Sequence, residues 1–285
     1  MAAFFNIPAV QVLFVPFIGM IMLTGLLRVI GRNGSGILTA NAAAGISFAW
    51  FCAFILGTPI FPSAFNSSAI LSATVCLLVI GTILDLTLTD KTKFGGLIET
   101  SVFILCGIMI SIWMRAGVDL WTIPILLGWG AVAFGLHRVG THKDFGAGDG
   151  ALLLAIASFG LGLIAWISDI AIDRDLGFGL SAISLGFFAW NWPKPRIFFG
   201  RSILLAGGGG LYMIALRLVE QAPPLIPSLV LLGFVFFTDT AVRYFPQNTK
   251  LARLLPLSLK FLILALIPLA LTILAAVIAI EFPMN

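Results

Sequence analysis

Long apolar runs separated by short polar loops are the feature that most constrains this chain. Each run is close to the ~20 residues that an α-helix needs to cross a bilayer, and far longer than the ~10-residue alternating segments of a membrane barrel. Hydrophobic residues make up 60% of the 285 residues and charged residues only 10%, which is too apolar for a soluble domain. We therefore predict an all-α polytopic membrane protein, a single transmembrane domain over residues 1–285. Its ten or so predicted transmembrane helices are 6–27, 37–60, 69–88, 95–114, 121–138, 149–168, 176–192, 198–219, 224–244 and 256–280.

The basic residues predict the orientation of these spans. If the N-terminus lies outside, only Arg115, Arg174 and Arg217 of the 16 Lys and Arg residues fall on the outer side, and the other thirteen fall on the opposite side. Cytoplasmic loops carry the excess of Lys and Arg in membrane proteins, so we predict that both termini lie outside. The net charge of +4 is dispersed among membrane loops, and it does not indicate a nucleic-acid partner.

Four carboxylates lie at predicted cytoplasmic helix ends, namely Asp85, Glu99, Asp149 and Asp239. Ionisable groups near a membrane interior are costly, so each is a candidate functional residue. Such acids can hold a divalent cation or accept a proton, and the structural alternative is that they only pair with nearby Lys and Arg. In contrast, we expect Asp169, Asp173 and Asp175 to lie in a solvated outer turn.

Several segments carry a family resemblance. Residues 191–202, NWPKPRIFFGRS, resemble the N-x-P-P-A-[RK]-I-F-M-G-D-S-G segment of the polyprenyl-phosphate N-acetylhexosamine-1-phosphate transferases. The stretch around Asp239 is similar to their D-T-x-x-x-x-R stretch, Asp85 falls where they have an Asp-Asp pair, and residues 146–150 fall at their D-G-x-D-G. The order of the segments and the ten-span layout also resemble the family, which includes the phospho-N-acetylmuramoyl-pentapeptide transferases.

The resemblance implies a cell-envelope enzyme of the bacterial inner (plasma) membrane. Such an enzyme moves a sugar 1-phosphate from a nucleotide sugar onto polyprenyl phosphate at the cytoplasmic face, with Mg²⁺ as cofactor. A lipid, a nucleotide sugar and other membrane proteins are the implied partners. The implied roles are catalytic for Asp85 and Asp149, metal-binding for Asp85, and substrate-binding for Lys93, Asn191, Arg196, Arg201 and Asp239.

Arg201 is the main departure from the family pattern. It stands where the family has the Asp that serves the magnesium, and a guanidinium cannot ligate Mg²⁺. Gly146 also replaces the first Asp of D-G-x-D-G. Two expectations follow: either Arg201 replaces the metal electrostatically in an active enzyme, or catalysis is impaired and the protein binds lipid or acts as a scaffold.

A second resemblance involves the same two aspartates. Gly146-x-Gly148-Asp149 is similar to the GxGD signature of intramembrane aspartyl proteases, and with Asp85 it resembles the prepilin peptidases, in which two aspartates share a proton and activate water. Against it, the Ile-Pro-Asn segment usual after the first aspartate is missing. Asp85 and Asp149 in hydrogen-bonding reach would favour the protease. A groove that Arg201 enters, with a lipid-sized slot opening sideways, would favour the transferase fold. A non-catalytic membrane scaffold or transporter subunit is the third alternative.

Overall fold

The computed structural model describes residues 10–31, 35–57, 68–88, 95–115, 122–141, 147–192, 196–244 and 257–281. These ranges form ten helices and contain no strand. The helices are α1 (Val10–Ile30), α2 (Ser35–Leu56), α3 (Ser68–Thr87), α4 (Gly95–Arg115), α5 (Thr122–Thr141), α6 (Ala147–Ile167), α7 (Ala171–Asn191), α8 (Arg201–Gln221), α9, whose four helical pieces begin at Pro223 and end at Tyr244, and α10 (Leu257–Glu281).

Each apolar run of the sequence coincides with one of these helices, so the all-helical prediction is confirmed. Among the described residues, six helical segments are long and apolar enough to cross a membrane, and α2, α4 and α5 contain shorter apolar segments. The six are Val10–Ile30, Ala69–Thr87, Gly148–Ile167, Arg201–Gln221, Pro223–Val242 and Leu259–Glu281. This is the pattern of a multi-pass membrane protein, while the ten spans and the orientation of the termini stay predictions.

Helices α6 and α8 form the centre of the helical bundle. In the most apolar 18-residue stretch of each of these two helices, 78% is buried, against 28% in the corresponding stretches of α1 and α10. Small residues allow α6 and α7 to pack closely. A Cβ built on Gly177 of α7 would lie 2.7 Å from the backbone nitrogen of Gly162 in α6. Glycines at helix contacts are typical of membrane bundles. The outer helices α1 and α10 expose apolar side chains such as Met22 and Ile267, as expected for surfaces that face lipid.

The consecutive glycines Gly207–Gly210 also serve packing, as the sequence indicates. They lie in α8, where Leu204–Gly208 forms a π-helical turn, and all four are buried. A Cβ on Gly210 would lie 2.2 Å from the ring of Phe48, and one on Gly209 would lie 2.4 Å from Leu77. Side chains at these positions would therefore push α2 and α3 away from α8.

The connection between α7 and α8 holds the start of α8 in place. Asn191 ends α7 with a buried side chain, and its Oδ1 accepts hydrogen bonds from the backbone N–H groups of Arg196 and Ile197, both at 2.9 Å. On the other side, Gly81 of α3 lets the first turn of α8 approach closely, since a Cβ there would lie 2.6 Å from the Cα of Ser202. The first turn of α8 is thereby placed against the end of α3.

Candidate functional site

The first turn of α8 is capped by a carboxylate from another helix. Asp85, buried in the last turn of α3, accepts the backbone N–H of Arg201 at 2.8 Å through Oδ1. Its Oδ2 accepts the backbone N–H of Ser202 at 3.0 Å and the Ser202 hydroxyl at 2.7 Å. The first N–H groups of a helix lack intrahelical partners and carry partial positive charge. Asp85 therefore both satisfies these donors and has its own charge compensated.

Gly200, the residue before α8, lies against two polar side chains. A Cβ at this position would be 2.5 Å from Asn41 Nδ2 and 2.6 Å from Asp85 Oδ2. Only glycine leaves room for both. Asn41 lies on α2 and is fully buried, and within the described ranges neither of its side-chain amide atoms has a hydrogen-bond partner.

The Arg201 side chain joins a second acid to this site. Its Nη2 donates to Glu99 Oε2 of α4 at 3.0 Å, and its Nη1 donates to the Leu88 carbonyl at 3.4 Å. The same Nη1 lies 3.9 Å from Asp85 Oδ1. Glu99 Oε1 is in turn 3.2 Å from Nδ1 of His137 on α5. A continuous set of polar and charged groups thus links α3, α8, α4 and α5.

An apolar cleft of about 440 Å³ begins at Glu99 and runs between α4 and α5. Glu99, Thr100 and His137 lie at one end, and the rest of the lining is apolar or glycine: Phe103, Ile104, Leu126, Trp129, Gly130, Ala133 and Phe134. From Leu126 to His137 an α-helix rises about 16 Å. Ile104 and Phe134 at the cleft are 53% and 58% exposed, so the cleft opens sideways. Its shape and polarity suit an alkyl chain whose polar end lies at Glu99.

Asp149 lies near the described residues on either side of the α7–α8 connection, because its two neighbours contact Asn191 and Phe199. It is buried in the first turn of α6. Its neighbour Gly150 contacts the Phe199 ring, with a Cβ position 3.1 Å away, and Gly148 contacts Phe188 and Asn191. The two predicted catalytic aspartates therefore both lie near the residues that lead into α8. The Asp85 oxygens bond to α8, as described above.

Asp239 lies in a different cluster. It is fully buried in α9, and its Oδ1 accepts a hydrogen bond from Nη2 of Arg138 on α5. That Nη2 also donates to Thr240 Oγ1 at 2.8 Å, and the guanidinium lies 5.6 Å from the ring centroid of Phe237. Asp239 therefore pairs with a basic residue, as the alternative for these acids describes, and its substrate-binding role stays a prediction.

Three further residues were predicted to bind substrate, namely Asn191, Arg196 and Lys93. Asn191 shapes the turn before α8, as shown above. Arg196 is exposed on that turn, and Lys93 lies outside the described residues. Sequence reasoning did not assign a site role to Ser202, which is part of the NWPKPRIFFGRS segment. The sequence places Glu99 at a helix end, but nothing in the spacing of Glu99 and His137 indicates that they meet.

The expectation for Asp173 was wrong. Its side chain is fully buried rather than solvated, with Oδ1 3.5 Å from Arg217 Nε and Oδ2 accepting a hydrogen bond from Gln221 Nε2 at 3.1 Å. Both partners lie at the end of α8, and Asp173 lies at the start of α7. Helical periodicity turns this carboxylate inward, because it follows the same face of α7 as buried Leu176 and Leu180.

The oxygen atoms of this site determine whether it could bind Mg²⁺. Mg²⁺ requires oxygen ligands at about 2.0–2.1 Å in octahedral geometry, whereas both Asp85 oxygens already accept hydrogen bonds from α8. An ion on Asp85 Oδ1 would lie within about 6 Å of the Arg201 guanidinium, a repulsion of roughly 5 kcal/mol at an effective dielectric constant of about 20. Among the described residues, no three His, Cys, Asp or Glu side chains form a group that could hold a metal. The residues of this site do not fit Mg²⁺.

The fold and the site define an all-helical, multi-pass membrane protein with a buried cluster of charged side chains. One of them, Glu99, lies at the polar end of an apolar cleft. Comparison with protein-family models and with curated proteins gave no match to this chain.

Proposed function

We propose that this chain is a phosphoglycosyl transferase-like membrane protein that binds a phosphorylated polyprenyl lipid at the cytoplasmic face. The observation that carries the proposal is that Glu99, at the polar end of the cleft between α4 and α5, binds the Arg201 guanidinium. An arginine for the phosphate and an apolar slot for the alkyl chain are the two features that such a lipid requires.

Unpaired donors at the site support a phosphate as the head group. Arg201 Nε and Asn41 Nδ2 are buried, and within the described part of the chain neither has a hydrogen-bond partner. Buried donors without partners cost free energy, and phosphate oxygens are strong acceptors for arginine. A phosphate oxygen that reached Arg201 Nε would satisfy that donor.

The protease alternative has less support from the geometry. Aspartyl proteases need two carboxylates that share a proton, but the Asp85 oxygens accept three hydrogen bonds from Arg201 and Ser202. Releasing Asp85 for such a role would uncap α8. The Asp85 contacts therefore favour the transferase-like proposal.

Lipid binding tests the proposal directly. The purified chain in nanodiscs would be offered a polyprenyl phosphate and, separately, the polyprenol of the same chain length, with bound lipid counted by native mass spectrometry. We expect the phosphate to be retained much more strongly than the alcohol. Equal retention of the two, or retention of neither, would contradict the proposal.

Two glycine-to-leucine variants, one in the cleft and a matched control outside it, test where the lipid binds. A Cβ on Gly130 in the cleft and a Cβ on Gly19 of α1 both have nothing within 4 Å, so either position accepts a leucine without a clash at Cβ. We expect Gly130→Leu to weaken binding of the polyprenyl phosphate at least tenfold, and Gly19→Leu to leave it unchanged. If Gly130→Leu binds like the unmodified chain, the lipid does not use this cleft.

A further inference from the structure

We infer that Arg201 is a built-in cation that takes the place of a bound divalent ion, so that the site holds its ligand without a metal. The inference rests on the proposed function for the identity of the ligand, and on the geometry of Arg201 for the rest. In this view the Arg201 side chain neutralises charge that a metal ion would otherwise neutralise.

Arg201 contacts both acids of the site through different atoms. Its backbone N–H binds Asp85 at 2.8 Å, and its guanidinium binds Glu99 at 3.0 Å. Asp85 lies on α3 and Glu99 on α4, so a single residue connects two helices to the start of α8. A metal that bridged two carboxylates would make the same connection through coordination bonds.

The N-terminus of α8 and the Arg201 guanidinium both supply positive charge that neutralises the two acids. The N-terminus of α8 provides partial positive charge to Asp85 through the N–H groups of Arg201 and Ser202. This leaves the guanidinium free to pair with Glu99, while it stays 3.9 Å from Asp85. Arginine keeps its charge at all physiological pH values, so neither acid requires an external cation.

The position also excludes a divalent ion. Gly200 and Asn41 crowd the space beside Asp85 Oδ2, since a Cβ on Gly200 would lie 2.6 Å from this oxygen and 2.5 Å from Asn41 Nδ2. The space beside Oδ1 faces the guanidinium. An ion that approached either oxygen would have to displace the hydrogen bonds that begin α8.

Thermal stability and lipid binding, measured with excess Mg²⁺, excess Mn²⁺ or EDTA, test this inference. For the unmodified chain in nanodiscs we expect the same Tm and the same affinity for polyprenyl phosphate in all three conditions. A saturable rise in Tm with either ion, or loss of lipid binding in EDTA, would overturn the inference. If the lipid fails to bind in every condition, the proposed function fails while the comparison of Tm values still tests the inference.

Two substitutions at Arg201 sharpen the test. Arg201→Asp places a third acid beside Asp85 and Glu99, so we expect its Tm to rise with Mg²⁺ or Mn²⁺, because an ion that binds only the folded state stabilises it. Arg201→Gln removes the charge without adding an acid, so we expect a smaller rise in its Tm than in that of Arg201→Asp, because only the Asp85 and Glu99 carboxylates remain to bind the ion. A folded Arg201→Asp variant without any response would show that the guanidinium does not stand at a cation position.

Arg217→Gln is the control for loss of a partly buried arginine elsewhere. Arg217 pairs with Asp173 between α7 and α8, away from Asp85 and Glu99. We expect it to lower Tm without any effect of divalent ions and without loss of lipid binding. If Arg201→Asp does not fold, the unmodified chain decides the question, since a divalent-ion response there contradicts the inference.

Discussion

His137 and Arg138 are consecutive on α5, yet they pair with acids on two different helices. His137 Nδ1 lies 3.2 Å from Glu99 Oε1 on α4, and the Arg138 guanidinium binds Asp239 on α9. Successive residues on a helix point about 100° apart, so one short stretch of α5 contacts both neighbours. The apolar cleft lies on the α4 side, and a second apolar cavity of about 500 Å³ lies between α5 and α9. These two contacts therefore connect α5 to α4 and to α9.

The pair of Arg138 and Asp239 should contribute strongly to stability. We expect Arg138→Gln to lower the free energy of unfolding by about 3–5 kcal/mol, because it leaves the fully buried Asp239 carboxylate without its charged partner. Denaturation of the detergent-solubilised protein, followed by tryptophan fluorescence, measures the loss. His137→Gln is the control, since the His137 side chain is 38% exposed, and its effect should stay below about 1 kcal/mol. Equal losses for the two variants would contradict this view of α5.

Gly200 and Gly130 should respond in opposite ways to alanine. Gly200→Ala places a methyl group against Asn41 and Asp85, and we expect it to cost about 1–3 kcal/mol through overpacking. Gly130→Ala meets nothing within 4 Å and should be neutral or up to about 1 kcal/mol stabilising, because alanine favours the helix. Thermal unfolding of both variants measures the difference. A harmless Gly200→Ala would mean that the three groups are not in contact.

The cap on α8 should depend on the charge of Asp85 more than on the Ser202 hydroxyl. Asp85→Asn removes the negative charge and turns an amide donor toward the N–H groups of α8, whereas Ser202→Ala removes one hydrogen bond of 2.7 Å. We expect losses of about 2–3 kcal/mol and about 1 kcal/mol respectively. Hydrogen exchange at the first amides of α8 reports the cap itself. Faster exchange in Ser202→Ala than in Asp85→Asn would reverse the assignment.

Activity assays separate the classes of function. Incubation with polyprenyl phosphate and a panel of UDP-sugars should release no UMP if Arg201 excludes the metal, and a prepilin leader peptide should stay uncleaved. UMP release that is lost in Asp85→Asn would show an active transferase, and release that also requires Mg²⁺ would contradict the metal-free site. Leader cleavage that needs both Asp85 and Asp149 would instead show the protease.

Labelling with a membrane-impermeant thiol reagent tests the orientation. In a background without Cys52, Cys76 and Cys106, Arg196→Cys should react only from the cytoplasmic side and Asp175→Cys only from the outside. The expectation follows from the excess of basic residues in the loops on the side of Arg196. Reaction of both cysteines from one side would contradict the predicted topology.

The positions of the helices follow from the sequence alone. Apolar runs of about 20 residues are a local property, and nine of the ten predicted spans start within four residues of an observed helix. The exception, α7, begins at Ala171 rather than at residue 176, because the charged residues Asp173, Arg174 and Asp175 interrupt its apolar run. The start of α8 after Gly200 was also close to its predicted place, since the proline-containing segment before it cannot continue a helix.

The choice of partners was decided only by the tertiary structure. The sequence predicts that Asp85, Glu99, Asp149 and Asp239 lie at helix ends, but it does not indicate which helices are neighbours. Side-by-side packing brings Arg201 to Asp85 and Glu99, and it separates Asp239 by pairing that residue with Arg138. Span length and apolar composition depend on residues close in the chain, whereas these ion pairs join residues about 100 positions apart. The lateral order of the helices, which no local pattern encodes, therefore determines the chemistry of the site.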